Sequence, residues 1–478
     1  MQEKSVITRM ITTAPGVYAP GHLGELTQIV DFALVDAVLE ETGTREKRLR
    51  LLPARVVVYF VLALALFEHC SYRAVWGKLT AALGSLALVS PAASSLARAR
   101  RRVGTAPLRH LFETLAGPVA GRGQAGSFYR GLRTVALDGT HLHAPDEEQI
   151  TWHYPKRCGD SREFGYPLLR LLAVVECGTR AVLAAVFGPE TSGELAYARR
   201  LLNCLNASML LLADAGFDAV EFLRDVADTG AQFLVRSGAR RCPTVARRLP
   251  DGSYLTRLCG IYRAGKGYHA LPVRVIEAWV TVTLQDGTLR REAWRLITSL
   301  LDHERYPAAE LVQLYHRRWQ VETTYFSIKA TMLDGRVLRS RSIPGLDQEV
   351  YALLATYQAL IRTATDAVST QPGLTMERVS FTVLLQAAAD QVTTATGIHT
   401  TEPSNPLPSN PLLAAIGRTV LDNLLPAARR QRVKARSRKN PTSKYAPNTG
   451  KHPQTTQTYT VTVEIHIMET GLAPRPHR

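Results

Sequence analysis

The sequence contains few cysteines, and they are widely spaced. Six cysteines are spread over 478 residues, and no two of them form a Cys-x-x-Cys pair. Zinc ribbons and disulfide frameworks are built on such closely spaced pairs, so the sequence predicts neither of them. This use of cysteine is typical of a reducing compartment, and we expect the protein in the cytoplasm.

Long hydrophobic runs are also absent. The longest apolar run, 56–67, is shorter than the roughly 20 apolar residues that are needed to span a bilayer. The first residues, Met-Gln-Glu-Lys, are not followed by the apolar core of a signal peptide. We therefore expect 56–67 to form a buried helix, and we expect no membrane partner.

Acidic residues are scarce relative to basic ones. The chain has 58 Lys and Arg against 41 Asp and Glu, which gives a formal net charge of +17. Such a surplus of positive charge attracts polyanions, and nucleic acid is the commonest of them. Charge alone leaves open the alternative that the protein is simply basic and has no such partner.

The N-terminal region, 1–120, has the pattern of a helical domain. Apolar residues recur at helical spacing over 28–39 and 51–67, and a serine at 94 or 95 can cap a further helix. That helix carries four arginines, Arg98, Arg100, Arg101 and Arg102. These arginines suit contacts with DNA phosphates and bases, so we predict a DNA-binding domain. A solvated basic face explains the same pattern equally well.

Residues 130–345 alternate between strands and helices. The predicted elements are strands at 134–138, 168–176 and 180–187, a helix from 194 to 205, a strand at 209–214, a helix at 218–228, a strand at 232–236, β-like segments over about 240–301, and a helix at 307–332. A capping-box pattern, Thr-Ser-Gly-Glu at 191–194, begins the first of these helices. This order predicts an α/β fold with a ribonuclease-H-like catalytic core and a β-strand insertion before the last helix.

The C-terminal part separates into two regions. Residues 346–400 have a helical pattern, whereas 402–411 are rich in proline, serine and asparagine. The segment 429–444 contains eight Lys or Arg and no acid. We therefore predict a helical region over 346–400, followed over 401–478 by a linker and a flexible basic tail.

Two aspartates stand at the ends of predicted strands. Asp138 ends the strand Thr-Val-Ala-Leu-Asp, and Asp214 ends the strand Met-Leu-Leu-Leu-Ala-Asp. If these strands are neighbours, both carboxylates meet at one end of the sheet, where α/β folds bind their ligands. Oxygen ligands of this kind suit Mg²⁺, and two such ions can catalyse phosphoryl transfer.

A third acid, Glu322, lies in the last predicted helix of the core. Tyr315, Arg318, Glu322 and Lys329 fall within about 60° of one another on a helical projection, so they share one face. A carboxylate beside two cations suits a metal site that also binds phosphate. Taken alone, Arg318 and Glu322 are equally explained as an ordinary ion pair between residues i and i+4.

These motifs resemble those of a known family. The spacing Tyr315-x2-Arg318-x3-Glu322-x6-Lys329 resembles the signature of the insertion-sequence-4 family of DDE transposases. Leu-Asp-Gly-Thr at 137–140 and Ala-Asp-Ala-Gly-Phe at 213–217 resemble the two aspartate motifs of that family. The resemblance extends from about 38 to 362. It departs from the common pattern at Ala215, where a basic residue is frequent.

The resemblance implies a role for each matched residue. Asp138, Asp214 and Glu322 would hold two Mg²⁺ ions, with Mn²⁺ as a substitute. Phosphates at the transposon end would be contacted by Arg318 and Lys329, and Tyr315 would position that strand. Trp294 stands where relatives stack a tryptophan on a flipped base during hairpin formation, although a core tryptophan in a strand is an equal alternative.

The function expected from the resemblance is cut-and-paste transposition of a bacterial insertion sequence. The partners would be double-stranded DNA, both the inverted repeats of the element and the target, and a second copy of the chain in a homodimer. The protein would act at the nucleoid. Two alternatives remain open, a metal-dependent structure-specific endonuclease of the same fold and a non-catalytic DNA-binding remnant.

Several other acids and histidines are not expected to bind metal. The acidic run at 146–148 lies in a proline-containing loop and is typical of a solvated segment. Asp218 is interpreted as a helix cap. His141, His143 and His153 lack the further partners that a zinc site needs, so hydrogen bonding or exposure is expected for them.

Overall fold

A computed structural model describes most of the chain. The described residues are 21–48, 50–83, 88–158, 163–238, 241–259, 270–284, 286–395, 415–426, 432–433 and 458–468. Within them, none of the helices combines the length and the apolar character that a membrane-spanning segment needs.

Helices make up the described part of the N-terminal region. They are α1 Phe32–Glu41, α2 Ala54–Leu66, α3 Tyr72–Thr80, α4 Ala93–Val103 and α5 Ala106–Leu115. The side chains of Asp31 and Ser71 cap α1 and α3 by accepting hydrogen bonds from backbone amides. Every residue of α2 except Arg55 is buried, which confirms the buried helix predicted from the apolar run.

A mixed sheet forms the centre of the molecule. Its strands are β1 Leu132–His143, β2 Leu168–Glu176, β3 Val182–Pro189, β4 Met209–Ala213 and β5 Gln232–Arg236, and the helices between the later strands are α6 Glu194–Arg199 and α7 Val220–Asp228. The spatial order is β3-β2-β1-β4-β5, in which β2 is antiparallel to β1 and β3 whereas β4 and β5 run parallel to β1. This is the topology of a ribonuclease-H-like core, and it confirms the predicted fold class.

The two faces of this sheet are buried in two different cores. Leu211 of β4 packs with residues of α6 and α7, whereas Leu210 and Leu212 belong to a larger core that includes α2. Alternate residues of a strand point to opposite faces, so a strand covered on both sides must be apolar throughout. This explains why β4 is an uninterrupted apolar run.

The β insertion extends the same sheet. It contains β6 Tyr254–Leu258, β7 Leu271–Leu284 and β8 Leu289–Thr298. β8 pairs antiparallel with β5, with Thr298 opposite Leu234, and β7 pairs with β8. The insertion therefore holds its residues in fixed register with the catalytic core.

The remaining elements are α8 Ala308–Tyr315, α9 Trp319–Phe326, α10 Ile343–Ser369, α11 Phe381–Thr394, α12 Ala415–Asp422 and β9 Thr458–Ile467. The long helix α10 packs against α2 and α5, and so joins the N-terminal helices to the core.

Part of the region expected as a linker and flexible tail has regular structure. Residues 415–422 form α12, and 458–467 form β9, which pairs antiparallel with β7 from Ala278 opposite Ile467. The sequence Thr-Tyr-Thr-Val-Thr-Val-Glu-Ile-His-Ile is rich in β-branched residues, which favour strands when an edge is available for pairing. The basic segment 429–444 lies outside the described residues, apart from 432–433.

Candidate active site

The sheet brings Asp138 and Asp214 together, although Asp138 lies inside β1 and only Asp214 follows the end of its strand. β1 and β4 are parallel neighbours in which Leu137 lies opposite Ala213, so the next residue of each strand is an aspartate. Asp138 and Asp214 therefore stand side by side at one edge of the sheet. The two carboxylates are close enough to interact, because the charge of Asp214 raises the pKa of Asp138.

Asp138 lies in a partly buried and negatively charged setting. Its side chain is 17% exposed, and its Oδ1 accepts a hydrogen bond from the amide of Gly139 at 2.8 Å. Burial is the main reason that the pKa of Asp138 rises to about 6, and the charges of Asp214 and Glu322 raise it further. The Gly139 amide and the Arg318 guanidinium oppose this rise. A cation at this position would therefore stabilise the ionised form.

The predicted helix at 307–332 is continuous but changes its pitch. It consists of α8, a 3-10 turn at His316–Arg318, α9, and a π-helical segment at Ser327–Met332. Interruptions of this kind are frequent at functional sites. Despite them, the helix presents Glu322 to the same edge of the sheet as the two aspartates, and the charge of Glu322 acts on Asp138.

Arg318 connects two of the three acids. Its Nη1 lies 3.1 Å from Oδ2 of Asp138, and its Nη2 lies 2.9 Å from Oε1 of Glu322. The guanidinium is only 9% exposed, so both contacts are shielded from water. The ion pair between residues i and i+4 is therefore present, but it is one half of a bridge that holds the helix to β1.

Tyr315 and Lys329 also contact the edge of the sheet. The Tyr315 hydroxyl donates to the carbonyl of Ala213 at 3.1 Å and is buried. Tyr315 thus lies beneath the site, where it fixes the backbone next to Asp214, and its ring is shielded from direct contact with a DNA strand. Lys329 donates from Nζ to Oγ1 of Thr140 at 3.1 Å, two residues beyond Asp138.

Sequence reasoning missed Tyr325. Its hydroxyl donates to the carbonyl of Asp138 at 2.7 Å, and the residue is buried. Its position ten residues after Tyr315 corresponds to about −80° on a helical projection, close to the face shared by the four signature residues. That offset was the available signal, and it shows that two tyrosines anchor the backbone at the two aspartates.

Trp294 of β8 lies close to this helix. Its ring packs edge to face against Tyr315 with centroids 5.4 Å apart, and the Arg236 guanidinium lies 5.4 Å from the indole. The indole N–H donates to Glu292 at 3.1 Å. Trp294 is half-buried, so its packing is compatible with both interpretations of its role.

The four arginines of α4 do not share one environment. Arg100 points into the protein, where it donates to Gln348, to the hydroxyl of Tyr72 at 2.6 Å and to the carbonyl of Gly345 at 2.7 Å. Its side chain is 6% exposed and lies 3.8 Å from Glu349 of α10. The expectation that Arg100 contacts DNA is therefore wrong for this structure, because its donors are used to join α4 to α10.

The other three arginines face outward to different degrees. Arg102 is held by Glu46 at 2.9 Å and by the carbonyl of Leu52 at 2.6 Å. Arg98 and Arg101 are exposed, and Arg98 makes one long contact with the hydroxyl of Ser95 at 3.4 Å. These two side chains are the members of the set that are best placed to reach DNA.

The acids set aside in the sequence have structural partners. Asp218 is not a helix cap, because α7 begins after Ala219 and the Asp218 carboxylate binds Ser237 at 2.8 Å and Arg241 at 3.0 Å. Asp146 pairs with Lys156. None of these contacts involves the three candidate catalytic acids.

The donor set at the edge of the sheet suits a hard cation. Asp138, Asp214 and Glu322 offer only carboxylate oxygens, the ligand type that Mg²⁺ and Mn²⁺ prefer. Among the described residues, no three ligand side chains converge closely enough to enclose one ion as they stand. Arg318 contacts Oδ2 of Asp138 and Oε1 of Glu322, so it uses one oxygen of each of these two carboxylates.

Two family models match the chain. Residues 20–113 match the model of the insertion element 4 transposase N-terminal region, and residues 129–358 match the model of the transposase DDE domain. The second range contains β1, β4 and the helix that carries Glu322. The two models match consecutive parts of one chain and together cover the N-terminal helices and the core.

Relatives with these features are transposases. Transposase InsG for insertion sequence element IS4 of Escherichia coli strain K12 is 27% identical over 341 residues, which cover 70% of this chain and 75% of that protein. Putative transposase InsZ of the same strain is 29% identical over 133 residues, which cover 28% of this chain and 44% of that protein.

A solved structure also resembles the chain, at low similarity. It is the piggyBac transposase synaptic complex with hairpin DNA, with a TM-score of 0.42 and 10% identity over 84% of this chain and 85% of that one. The family assignment rests instead on the two models and on the similarity to InsG. The chain belongs to the insertion-element-4 family of DDE transposases, and it is a polynucleotidyl transferase and endonuclease.

Proposed function

We propose that this transposase excises and inserts its element by two-metal phosphoryl transfer at Asp138, Asp214 and Glu322. The observation that carries the proposal is the register of β1 and β4, which sets two aspartates side by side, with Glu322 linked to the first of them through Arg318. A remnant that only binds DNA has no need for three acids held in this arrangement.

DDE domains use divalent metal ions, and we propose Mg²⁺ as the ion here, with Mn²⁺ as a substitute. Asp138, Asp214 and Glu322 would hold the ions, which would activate the attacking oxygen and stabilise the leaving one. Tyr315 and Tyr325 keep the backbone at Ala213 and Asp138 in place, so the carboxylates keep their positions when the charge of the site changes.

The cations of the site would bind the DNA backbone. Arg318 and Lys329 lie on the same helix as Glu322, at the edge of the sheet where the scissile phosphate must enter. When metal ions neutralise the carboxylates, Arg318 loses its main attraction to them and becomes available to a phosphate, which it can bind through two parallel hydrogen bonds. Arg318 would thus exchange one anionic partner for another.

The proposed reaction has two steps at one site. Water first attacks the phosphodiester at the end of the inverted repeat, and the 3′-hydroxyl that is released then attacks a phosphodiester of the target DNA. Pairing two ends of one element requires at least a homodimer. We place this activity at the nucleoid in the bacterial cytoplasm, where the DNA substrate is found.

Metal dependence tests this proposal. Cleavage of a duplex that carries the end of the element should proceed with Mg²⁺ or Mn²⁺, and Ca²⁺ should support binding without cleavage, because Ca²⁺ does not enforce the geometry that Mg²⁺ demands. Rates are measured on a denaturing gel and binding by fluorescence anisotropy. Cleavage that continues at the same rate in excess chelator would contradict the metal assignment.

A sulfur substitution makes this test more specific. Replacing the leaving 3′-oxygen with sulfur should suppress cleavage in Mg²⁺ and restore it in Mn²⁺, because the softer ion binds sulfur better. The unmodified duplex, cleaved in both metals, is the matched control. Equal inhibition of the sulfur substrate in the two metals would argue against contact between a metal and the leaving atom.

Trp294 is predicted to affect one intermediate. If its ring stacks on a flipped base, Trp294→Ala should deplete a hairpin at the excised ends, and Trp294→Phe should retain part of it, because base stacking on an aromatic contributes about 1–3 kcal/mol. The hairpin is followed on a denaturing gel. Hairpin levels that match the wild type in Trp294→Ala would leave this tryptophan with its packing role against Tyr315.

The arginines of α4 should divide into two groups. Replacing Arg98 and Arg101 with Ala should weaken DNA binding and lower the slope of log K against log salt by about 0.9 for each lost phosphate contact. Arg100→Ala should instead lower the free energy of unfolding by about 3 kcal/mol, because it leaves buried partners uncompensated. The two measurements are salt-dependent anisotropy and denaturant unfolding.

Each variant of α4 is the control for the other. Arg98→Ala/Arg101→Ala should unfold like the wild type, since both side chains are exposed. If the slope of log K against log salt is unchanged in this double variant, the outer face of α4 is a solvated surface that does not contact DNA.

A further inference from the structure

A fourth carboxylate, that of Glu194, lies beside the glycines that follow Asp138 and Asp214. The sequence places Glu194 at the last position of a capping box. In that motif its side chain would accept a hydrogen bond from a backbone amide at the start of the helix predicted over 194–205. The structure differs, because α6 begins at Glu194 itself, ends at Arg199 and has no side-chain cap. The carboxylate of Glu194 is therefore not used in the local hydrogen bond that its pattern predicts.

The Glu194 side chain lies against the glycines that follow the two aspartates. A methyl group placed on Gly139 would overlap Oε1 of Glu194. A methyl group on Gly216 would lie 3.7 Å from Oε2 of Glu194 and 3.0 Å from Oδ1 of Asp214. Gly139 thus leaves the room that this carboxylate occupies, and the ordinary contact distance at Gly216 places the same carboxylate close to the backbone after Asp214.

Glu194 enters the site from the face opposite to Glu322. α6 packs in the core that includes Leu137 and Leu211, whereas Tyr325 of α9 belongs to the core on the other face. A side chain on Gly139 would lie on the α6 face, where it would occupy the space of the Glu194 carboxylate. The glycine therefore allows an acid from α6 to reach the edge of the sheet where Asp138 and Asp214 stand.

The charge of Glu194 has no direct partner in the described residues. The half-buried carboxylate makes no hydrogen bond or ion pair there, in contrast to Glu190, which binds Arg170 and His141, each at 3.3 Å. Burial raises the pKa of Glu194, and the negative charges of Asp214 and Glu190 add to this effect, with Arg170 opposing it. A partly desolvated charge without a partner is costly unless a cation compensates it.

We propose that Glu194 is a fourth acidic residue of the catalytic centre, which contributes with Asp138 and Asp214 to the binding of divalent cation. The proposal rests on the proposed function, since it assigns a further residue to the same metal site. The competing explanation is that Glu194 only favours the N-terminus of α6 through its charge. α6 has six residues, so it supplies few aligned peptide dipoles for such an effect.

Binding of Mn²⁺ by the full-length protein tests the proposal without an activity assay. Free Mn²⁺ is measured by electron paramagnetic resonance during titration of the wild type and of Glu194→Gln. We expect Glu194→Gln to weaken Mn²⁺ binding by about 10-fold or more, the range found when groups that support metal ligands are removed. The same loss should reduce the rise in melting temperature that Mn²⁺ produces.

Glu221→Gln is the matched control. Glu221 also lies in the first turn of a helix, α7, on the same face of the sheet, and it is half-buried like Glu194. Glu221→Gln removes the same kind of helix-terminal charge, and its Mn²⁺ affinity should stay within about twofold of the wild type. This change is much smaller than the loss of about tenfold or more that is expected for Glu194→Gln. Gly139→Ala is a second variant, which should weaken Mn²⁺ binding by displacing the Glu194 carboxylate while leaving its charge in the protein.

The outcomes separate this inference from the proposed function. If Glu194→Gln and Gly139→Ala bind Mn²⁺ like the wild type while Asp138→Asn does not, the fourth acid is excluded and the three-acid site stands. If Asp138→Asn and Asp214→Asn also bind Mn²⁺ normally, the metal site itself is misplaced, and the inference falls with it. If Glu194→Gln does not fold, Glu194→Asp and Gly139→Ala decide the question.

Discussion

Asp138→Asn, Asp214→Asn and Glu322→Gln are each expected to lower strand cleavage at the transposon end by at least about 1,000-fold, or ~4 kcal/mol in the activation barrier. Each change removes a charge that would hold metal and leaves the size of the side chain unchanged. Affinity for the end duplex should remain close to that of the wild type, because the acids do not attract the DNA backbone. Cleavage rates come from single-turnover assays and affinities from anisotropy.

The amide variants retain much of the local structure. Asp138 uses Oδ1 for the amide of Gly139 and Oδ2 for Arg318, and an Asn at this position keeps only one acceptor oxygen, so one of the two contacts is lost and the other is retained. The matched control is Asp225→Asn, which removes the charge of a half-buried aspartate paired with Arg199 at 2.7 Å. Asp225→Asn should cleave normally. A near wild-type rate in any of the three acid variants would remove that residue from the catalytic set.

Much of the candidate site could be predicted from local sequence patterns, namely apolar runs typical of strands and the spacing of residues on one face of a helix. The apolar runs before Asp138 and Asp214 identify two strands, and the chain order makes those strands neighbours in a ribonuclease-H-like sheet. The prediction that both strands end at an aspartate is correct for Asp214 and wrong for Asp138, because β1 continues to His143. Glu322 follows from the face that it shares with Arg318 and Lys329. Each of these signals is local or depends on topology, so it can be read without knowing the packing.

The contacts that the sequence did not reveal join distant segments of the chain. Arg100 resembles its neighbours in α4, but its partners lie on α10, about 250 residues later in the chain. Tyr315 belongs to the signature by spacing, yet its hydroxyl is satisfied by the carbonyl of Ala213 in another strand. Composition and spacing do not encode which face of a helix a distant element will cover.

Glu194 and β9 illustrate a second reason, in which a plausible local pattern gives way to tertiary structure. The capping box at 191–194 describes a hydrogen bond within one turn, but the space left by Gly139 gives the glutamate another position. The segment 458–467 falls within the predicted linker and flexible basic tail, and its β-branched residues form a strand because β7 offers an edge for pairing.

Strand transfer is the expected result that separates a transposase from a nuclease of the same fold. A duplex that ends in the exposed 3′-hydroxyl of the element, incubated with the protein, Mg²⁺ and a supercoiled target plasmid, should be joined to the plasmid. The same duplex with a 3′-deoxy end should bind equally well and give at least about 1,000-fold less joined product, because it lacks the nucleophile. Joined products are counted on an agarose gel from a labelled end.

The physical basis is that one site serves two nucleophiles in turn. The 3′-oxygen is the leaving group of the cleavage step, and a 3′-hydroxyl that stays bound in the site replaces a bimolecular encounter with an effectively unimolecular step. Arg318 and Lys329 would keep the strand in register through both steps. Because both steps would use the same three acids, Glu322→Gln should abolish cleavage of an intact end and joining of a pre-cleaved end alike. Joining of pre-cleaved ends by Glu322→Gln at the wild-type rate would show that the second step uses a different set of residues. Cleavage without any joined product, in either metal, would favour the endonuclease, because a nuclease releases the strand that a transposase must retain.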